Sequence, residues 1–322
     1  MIRKPLYAAL AAGVITLALA GPVAPATATT SIVPESGSEC FDPEAAGAAA
    51  RGGADLRAGD HREISLAEQL RIQQKTERIL GDLRGVLTGK GKPPGGTGPG
   101  GPKGDIPVYV HVMAASDGAG DVSNAAIDAQ IDVLNDNLGG RDVDGRGLDT
   151  GVGFHLADVD RYYNDAWHQD RSSAKYRSAT REGGKNALNI WLVDFKYLGI
   201  ATFPWDYANN PKVDGIRVHY DSLPGGGIEH YNQGETATHE VGHWLGLYHT
   251  FQGGCTATND EVADTPAQSS PTEGCPTGRD SCSLPGLDPI QNYMDYSYDS
   301  CYTTFSGGQS TRIDQMWTAY RL

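Results

Sequence analysis

Three histidines and a glutamate in one short stretch could carry chemistry: His239, Glu240, His243 and His249, with Gly246 between the last two histidines. On a helix, positions i and i+4 share a face, so His239 and His243 can bind one ion. Gly246 tolerates backbone angles that other residues avoid, so the helix can end there and the chain can bring His249 round as a third ligand. Three neutral imidazoles with an open fourth position describe a catalytic zinc site rather than a closed structural one. Zinc lowers the pKa of a bound water and polarises a carbonyl. Glu240 is near enough to take the proton and pass it to a leaving amine, as general base and then acid. The reaction read from these spacings is metal-assisted hydrolysis of an amide, and the spacing alone does not say which amide.

These residues need a scaffold to hold them. The active helix is expected over residues 235–248, after the glycine run Gly225-Gly226-Gly227. Strands are expected at 106–113, where β-branched and apolar residues nearly alternate, and at 153–160, 187–195, 199–205 and 215–221. The run at 199–205 is short and followed by turn residues, which suits a sheet edge. Ser123 is expected to cap a helix with Ile127, Ile131, Leu134 and Leu138 on one face, and a weaker helix is expected over 176–184. The order of elements implies an α/β sandwich with a mostly parallel sheet. Residues 250–302 read as irregular, and residues 306–322 close the chain as a helix with Ile313, Met316, Trp317 and Tyr320 on its apolar side.

Upstream of the first strand the composition changes. Arg3 and Lys4 precede a short apolar run from Leu6 to Ala20, and small-residue cleavage sites follow, so residues 1–28 read as an export signal. Residues 29–104 read as a separate, poorly packed propeptide. It holds one helix, where Ser65 and Glu68 form a capping box and Leu66, Leu70, Ile79 and Leu83 supply apolar positions. A linker rich in Pro and Gly ends it, basic and open to processing. The catalytic domain is expected over residues 105–322. The 26 Lys and Arg against 40 Asp and Glu leave a net charge of -14, which argues against nucleic acid or an anionic membrane as partner. Five cysteines in an exported chain point to disulfides. Cys255, Cys275, Cys282 and Cys301 form an even cluster that allows three pairings, and Cys40 stands apart. A zinc knuckle is disfavoured, since the cluster has no C-x-x-C pair.

The stretch from His239 to His249 matches the metzincin motif H-E-x-x-H-x-x-G-x-x-H, and Asn292-Tyr293-Met294-Asp295-Tyr296 looks like the metzincin Met-turn. More narrowly, the chain resembles the pappalysin branch that includes ulilysin. The resemblance runs through Tyr231-Asn232, Asp264-Thr265-Pro266-Ala267, Gly274-Cys275-Pro276, Asp280-Ser281-Cys282, Asn292 to Cys301, and Phe305-Ser306 with Gly308-Gln309. It covers roughly Ile106 to Leu322. It implies zinc on His239, His243 and His249, with Glu240 as the catalytic acid/base. Met294 would form an apolar floor beneath the metal, and Tyr296 would steady the reacting centre. The resemblance selects Cys255–Cys282 and Cys275–Cys301 among the three pairings. It implies that the strand at 199–205 is the antiparallel edge on which a protein or peptide substrate lies extended. It also suggests calcium after the zinc motif, with Asp260 and Asp264 as oxygen ligands. Relatives that prefer a basic residue after the cut carry an acid directly before the last cysteine. Here Ser300 holds that position and Asp299 precedes it, which puts a strict basic preference in doubt. A propeptide cysteine occupies the metal's fourth position in some relatives, and Cys40 is the candidate for such a zymogen switch.

The expectation is therefore a secreted, monomeric zinc endopeptidase, made as a zymogen. Its fold class is an α/β (α+β) metzincin-type domain: a five-stranded, mostly parallel sheet, an active-site helix, and an irregular disulfide-bonded C-terminal subdomain ending in a helix. The competing readings are a zinc amidase on a non-protein amide and a zinc-bearing binding protein or toxin without turnover.

Overall fold

Alternation on the first long strand decides which side of the sheet becomes the core. The computed structural model describes residues 48–49, 64–88, 104–141 and 147–322, and these belong to one compact unit, residues 41–322. The proposed export signal and Cys40 lie outside the described residues, as does the Pro/Gly linker at 89–103. Strand β1 is Ala48–Ala49 and helix α1 is Leu66–Thr88. They precede β2 (Gly104–Ala114), α2 (Asn124–Leu138), β3 (Val152–Tyr163), α3 (Asp165–His168) and α4 (Ser173–Thr180). Then come β4 (Leu188–Val193), β5 (Gly199–Ala201), β6 (Ile216–His219), α5 (Glu235–Trp244) and α6 (Gly307–Tyr320).

The sheet order is β1-β5-β6-β4-β2-β3. Strands β3, β2, β4 and β6 are parallel, and β5 runs antiparallel to β6. These five are the expected sheet, with its antiparallel edge. The two-residue β1 adds a sixth strand, pairing antiparallel with β5 through Ala48 opposite Ile200 and Ala49 opposite Gly199. On β2, Ile106, Val108, Val110 and Val112 enter the main core with Ile127, Leu134, Ala237, Val241 and Trp244. That face of the sheet is covered by α2 and α5, and the active helix lies across it. The other face carries a smaller cluster of Met113, Tyr176, Trp191 and Val193.

The boundaries differ from expectation where capping or proline intervenes. Helix α2 starts where Ser123 caps it, its hydroxyl accepting from Ala126 N–H. Strand β5 covers only three residues of the expected 199–205, because Pro204 opens a short 3-10 turn through Asp206. The weak helix at 176–184 is displaced to Ser173–Thr180. It is preceded by α3, capped by Asn164, which sequence reasoning did not find.

The upstream helix requires a larger correction. Leu66, Leu70 and Leu83 are exposed, while Gln69, Ile72 and Thr76 form the buried face. Ile64 and Ile72 pack with Phe203, Trp205, Tyr248 and Met316, so this part of the upstream segment is not poorly packed. Thr76 Oγ1 meets Tyr320 OH at 2.8 Å, and Gln252 Nε2 donates to Ile64 O at 2.7 Å. On this stripe of mixed polarity, Thr76 finds its partners on α6, the Tyr320 hydroxyl and the Met316 sulfur.

Candidate active site

Helix α5 enters the core and is buried from Thr236 to Trp244. Its first turn is held from α2, where Asn137 Nδ2 donates to Thr238 Oγ1 at 2.8 Å and Gln130 Nε2 donates to Gly234 O at 2.9 Å. It ends at Trp244, four residues short of the expected end, and Gly246 takes φ +102°. A side chain there would be strained, and its Cβ would meet Met316 at 2.5 Å. The turn brings His249 back over the helix.

The three imidazoles converge. His243 Nε2 lies 3.1 Å from His239 Nε2 and 3.0 Å from His249 Nε2. His239 Nδ1 donates to Tyr293 O at 2.6 Å, and His243 Nδ1 donates to Leu247 O at 2.9 Å. A carbonyl can only accept, so in both rings the proton sits on Nδ1 and the lone pair on Nε2. Lone pairs aimed at each other across about 3 Å fit a shared cation. Two nitrogens on a tetrahedral zinc stand about 3.4 Å apart, close to what is seen. The donor set thus fits zinc, which His239, His243 and His249 would hold.

Beneath the histidines, Met294 is fully buried. A Cβ on Gly242 would lie 2.3 Å from its sulfur, so the helix can rest on Met294 only because residue 242 has no side chain. The Met-turn is fixed from both sides. Met294 N–H donates to Asn292 Oδ1 at 3.0 Å, and Asn292 exchanges amide hydrogen bonds with Gln309 in the first turn of α6. Ser306 completes a capping box with that same Gln309.

Glu240 is buried beside β5. A Cβ on Gly199 would meet Glu240 Cγ and Oε1 at 2.5 Å each. The carboxylate therefore lies against the backbone of the edge strand. Gly199 is a site residue that sequence reasoning missed, and a lone glycine inside an apolar strand was the available signal. Tyr296 lies beside the histidines, its ring centre 4.9 Å from His249, edge-on, and 5.6 Å from His239, tilted. Phe251 lies flat on His249 at 4.7 Å and also touches Tyr296.

Other expected site residues divide. Cys255–Cys282 and Cys275–Cys301 are paired, holding the irregular segment after His249. Asp299 is buried and accepts from Gln233 N–H at 2.9 Å, so it steadies the turn that enters α5. Ser300 is exposed beside Cys275. Asp260 and Asp264 face different partners. Asp264 accepts from Ser306 Oγ and Gly308 N–H, whereas buried Asp260 accepts from Val262 N–H and Thr265 Oγ1. Burial pushes the Asp260 carboxyl up to about 7.

At the far end of α5 lies a second feature that was not foreseen. Arg321 donates to both oxygens of Asp214 and to Trp244 O, and its guanidinium stacks on the Trp244 ring at 3.7 Å. Trp244 Nε1 also donates to Asp214 Oδ2 at 3.1 Å. This buried, fully bonded pair fixes the C-terminal end of the helix.

Three histidines on a stopped helix, a methionine turn beneath them and a glutamate against an antiparallel edge strand define a metzincin-type zinc metalloprotease. Comparison with known proteins narrows this. Residues 195–318 match the peptidase family model described as pregnancy-associated plasma protein-A. An extracellular metalloprotease of Neurospora crassa is 44% identical over 225 residues, covering 67% of this chain and 76% of the relative. One from Sordaria macrospora is 45% identical with the same coverage. Mature mirolysin of Tannerella forsythia, solved with a cleaved peptide, aligns with a TM-score of 0.57 at 30% identity, over 65% of this chain and 89% of that one. A promirolysin mutant from the same organism aligns with a TM-score of 0.58 at 27% identity, over 78% and 91%. The chain belongs to this pappalysin family of metalloproteases. The relatives' names favour peptide bonds over the non-protein amide, and turnover over mere binding. They also support an extracellular location, and among the described residues no helix is long and apolar enough to cross a membrane.

Proposed function

We propose that the chain is a secreted zinc endopeptidase made as a zymogen, with Glu240 as its general base and acid. The observation that carries this is the contact of the Glu240 carboxylate with β5 at Gly199, on the helix that also presents His239 and His243. Zinc, when bound by the three histidines, would supply an acidified water and polarise the scissile carbonyl. Glu240 takes the proton from that water and returns it to the leaving amine. Its burial keeps bulk water from competing for the proton. Tyr296, edge-on to both His249 and Phe251, lies where it can steady the substrate carbonyl as charge develops. An extended peptide would lie along β5 by main-chain hydrogen bonds, and the cleaved peptide held by mature mirolysin supports a ligand of this kind.

The zymogen reading is supported by β1. Ala48–Ala49, upstream of the linker, lies antiparallel on β5, the edge that a substrate would need. Cys40 would close the metal's fourth position, eight residues earlier in the chain. Calcium keeps Asp260 and Asp264 as its candidate ligands, each of which also accepts two hydrogen bonds within the protein. The protein is taken to act as a monomer, and Asp299, bonded to Gln233, leaves a basic preference after the cut unsupported.

The test is peptide cleavage by the processed protein beside Glu240→Ala, with zinc content measured in both. Retained zinc with activity lost at least a hundredfold in the variant is expected. Equal activity would refute the mechanism. For latency, the unprocessed Cys40→Ala chain should turn over faster than the unprocessed parent. Equal latency would remove Cys40 from the account.

A further inference from the structure

On the face of the sheet opposite α5, three carboxylates gather at β3 and the loop after α4, beside a buried histidine on β2. His111 stands opposite Asp160 in the parallel register, and Asp158 follows on the same face of β3. Glu182 reaches in from the loop between α4 and β4. The carboxylates of Asp158, Asp160 and Glu182 each offer an oxygen, and these lie within 4.8 Å of one another.

Acidic clusters on a surface are common, but His111 distinguishes this one. Its side chain is 1% exposed. Its Nε2 meets Asn189 Oδ1 at 2.9 Å. That oxygen also accepts from Glu182 N–H at 2.8 Å, while Asn189 Nδ2 donates to Glu182 O at 2.9 Å. The Asn189 amide is thereby oriented, and its oxygen can only accept. His111 Nε2 must therefore carry the proton, which leaves a bare lone pair on Nδ1 in the neutral ring. Nδ1 is buried, has no hydrogen-bond partner, and lies 3.8 Å from Asp160 Oδ2. A lone pair buried against a carboxylate, beside two more carboxylates, is an arrangement that costs free energy unless something positive lies between them.

Burial lowers the His111 pKa, which favours the neutral ring. Burial and the neighbouring Asp160 raise that of Glu182. A proton shared between the carboxylates would relieve their repulsion but leave Nδ1 unpaired. The nearest arginine does not compensate, since Arg181 donates to the carbonyls of Gly183 and Gly184. Tyr162 OH approaches Asp160 Oδ2 only at 3.5 Å. A divalent cation would satisfy the imidazole and the carboxylates at once.

The geometry points to a second, structural metal site formed by His111, Asp158, Asp160 and Glu182, distinct from the His239–His243–His249 centre. One imidazole nitrogen with carboxylate oxygens selects a first-row transition ion such as zinc or manganese, because calcium and magnesium take oxygen ligands. Bound there, the ion clips the loop after α4 to β2 and β3.

The experiment uses the full chain carrying Glu240→Ala, so that it stays intact. The protein is equilibrated with zinc, freed of unbound metal by gel filtration, and its zinc counted by mass spectrometry. Two equivalents per chain are expected. Adding Asp160→Asn should leave one, and adding Asp158→Asn, at an exposed position that does not threaten the fold, should leave one as well. His239→Ala should lose the other equivalent while keeping this one. One equivalent throughout, or two that survive both aspartate changes, overturns the site. A melting temperature raised by calcium but not by zinc or manganese, and only while Asp158 is intact, overturns the choice of ion.

Discussion

Replacing Gly199 by alanine perturbs Glu240 without touching any metal ligand. The φ of Gly199 lies outside the left-handed region, so alanine can adopt the backbone and β5 can persist. Its Cβ would arrive 2.5 Å from Glu240 Cγ and Oε1 and 2.7 Å from Cδ. Carbon atoms in good contact stand about 3.5–4.0 Å apart, so the carboxylate must retreat by about 1 Å. A misplacement of that size costs on the order of a hundredfold in rate, or about 2.7 kcal/mol in the barrier. The processed Gly199→Ala enzyme should therefore show kcat down about a hundredfold on a fluorogenic peptide, with KM little changed and zinc content equal to the parent. The split matters, because a methyl group that merely obstructed the peptide would raise KM. A kcat within threefold of the parent, with zinc retained, refutes the idea that β5 sets the position of Glu240.

Gly242→Ala drives a methyl group into the Met294 sulfur and should cost about 1–3 kcal/mol by overpacking, read as a lower melting temperature and weaker zinc retention against a chelator. Removing the Cys255–Cys282 bond as a double serine variant frees a 27-residue separation and should cost about 3 kcal/mol in denaturant melts. Asp260 should make stability depend on pH. The unfolded chain ionises this carboxyl near its ordinary 3.8, whereas the folded protein holds the proton up to about 7. Its contribution is complete below the lower value and is lost as pH rises through the higher one. Without added calcium, Asp260→Asn should thus raise the melting temperature at pH 8 more than at pH 4. Arg321→Met leaves buried Asp214 with only the more distant Arg181, 3.6 Å away, and should cost about 3 kcal/mol, seen in thermal melts.

The histidine cluster was legible because a helix converts sequence spacing directly into geometry. His239 and His243 needed only the i, i+4 rule, and Gly246 marked where the helix stops. Ser123 and Ser306 were readable for the same local reason, since each bonds a backbone N–H three residues on. The disulfide pairing was not readable from spacing and came from family likeness alone. The Asp214–Arg321 pair was not readable either, because its members are 107 residues apart and only the fold brings them under Trp244. Helix α1 misled because its leucines suggested a buried stripe. The buried face instead runs through Gln69 and Thr76, and the burial of Thr76 depends on α6 being present to meet its hydroxyl. The shortened β5 was readable in part, since Pro204 was visible but the contact that makes Gly199 necessary was not.

The two edges of the sheet also bear on how the protein behaves at high concentration. An edge strand offers unpaired backbone groups to any other chain, and long, flat, apolar edges invite aggregation. Strand β3 is long at 12 residues, but Asp158, Asp160 and Arg161 stud it with charge. The opposite edge is the two-residue β1, and β5 beneath it is buried and kept to three residues. If β5 is freed of β1 to receive peptides, as proposed above, the edge it presents is too short to template a second sheet, so the brevity that would limit its grip on a substrate would also protect the protein from its own copies.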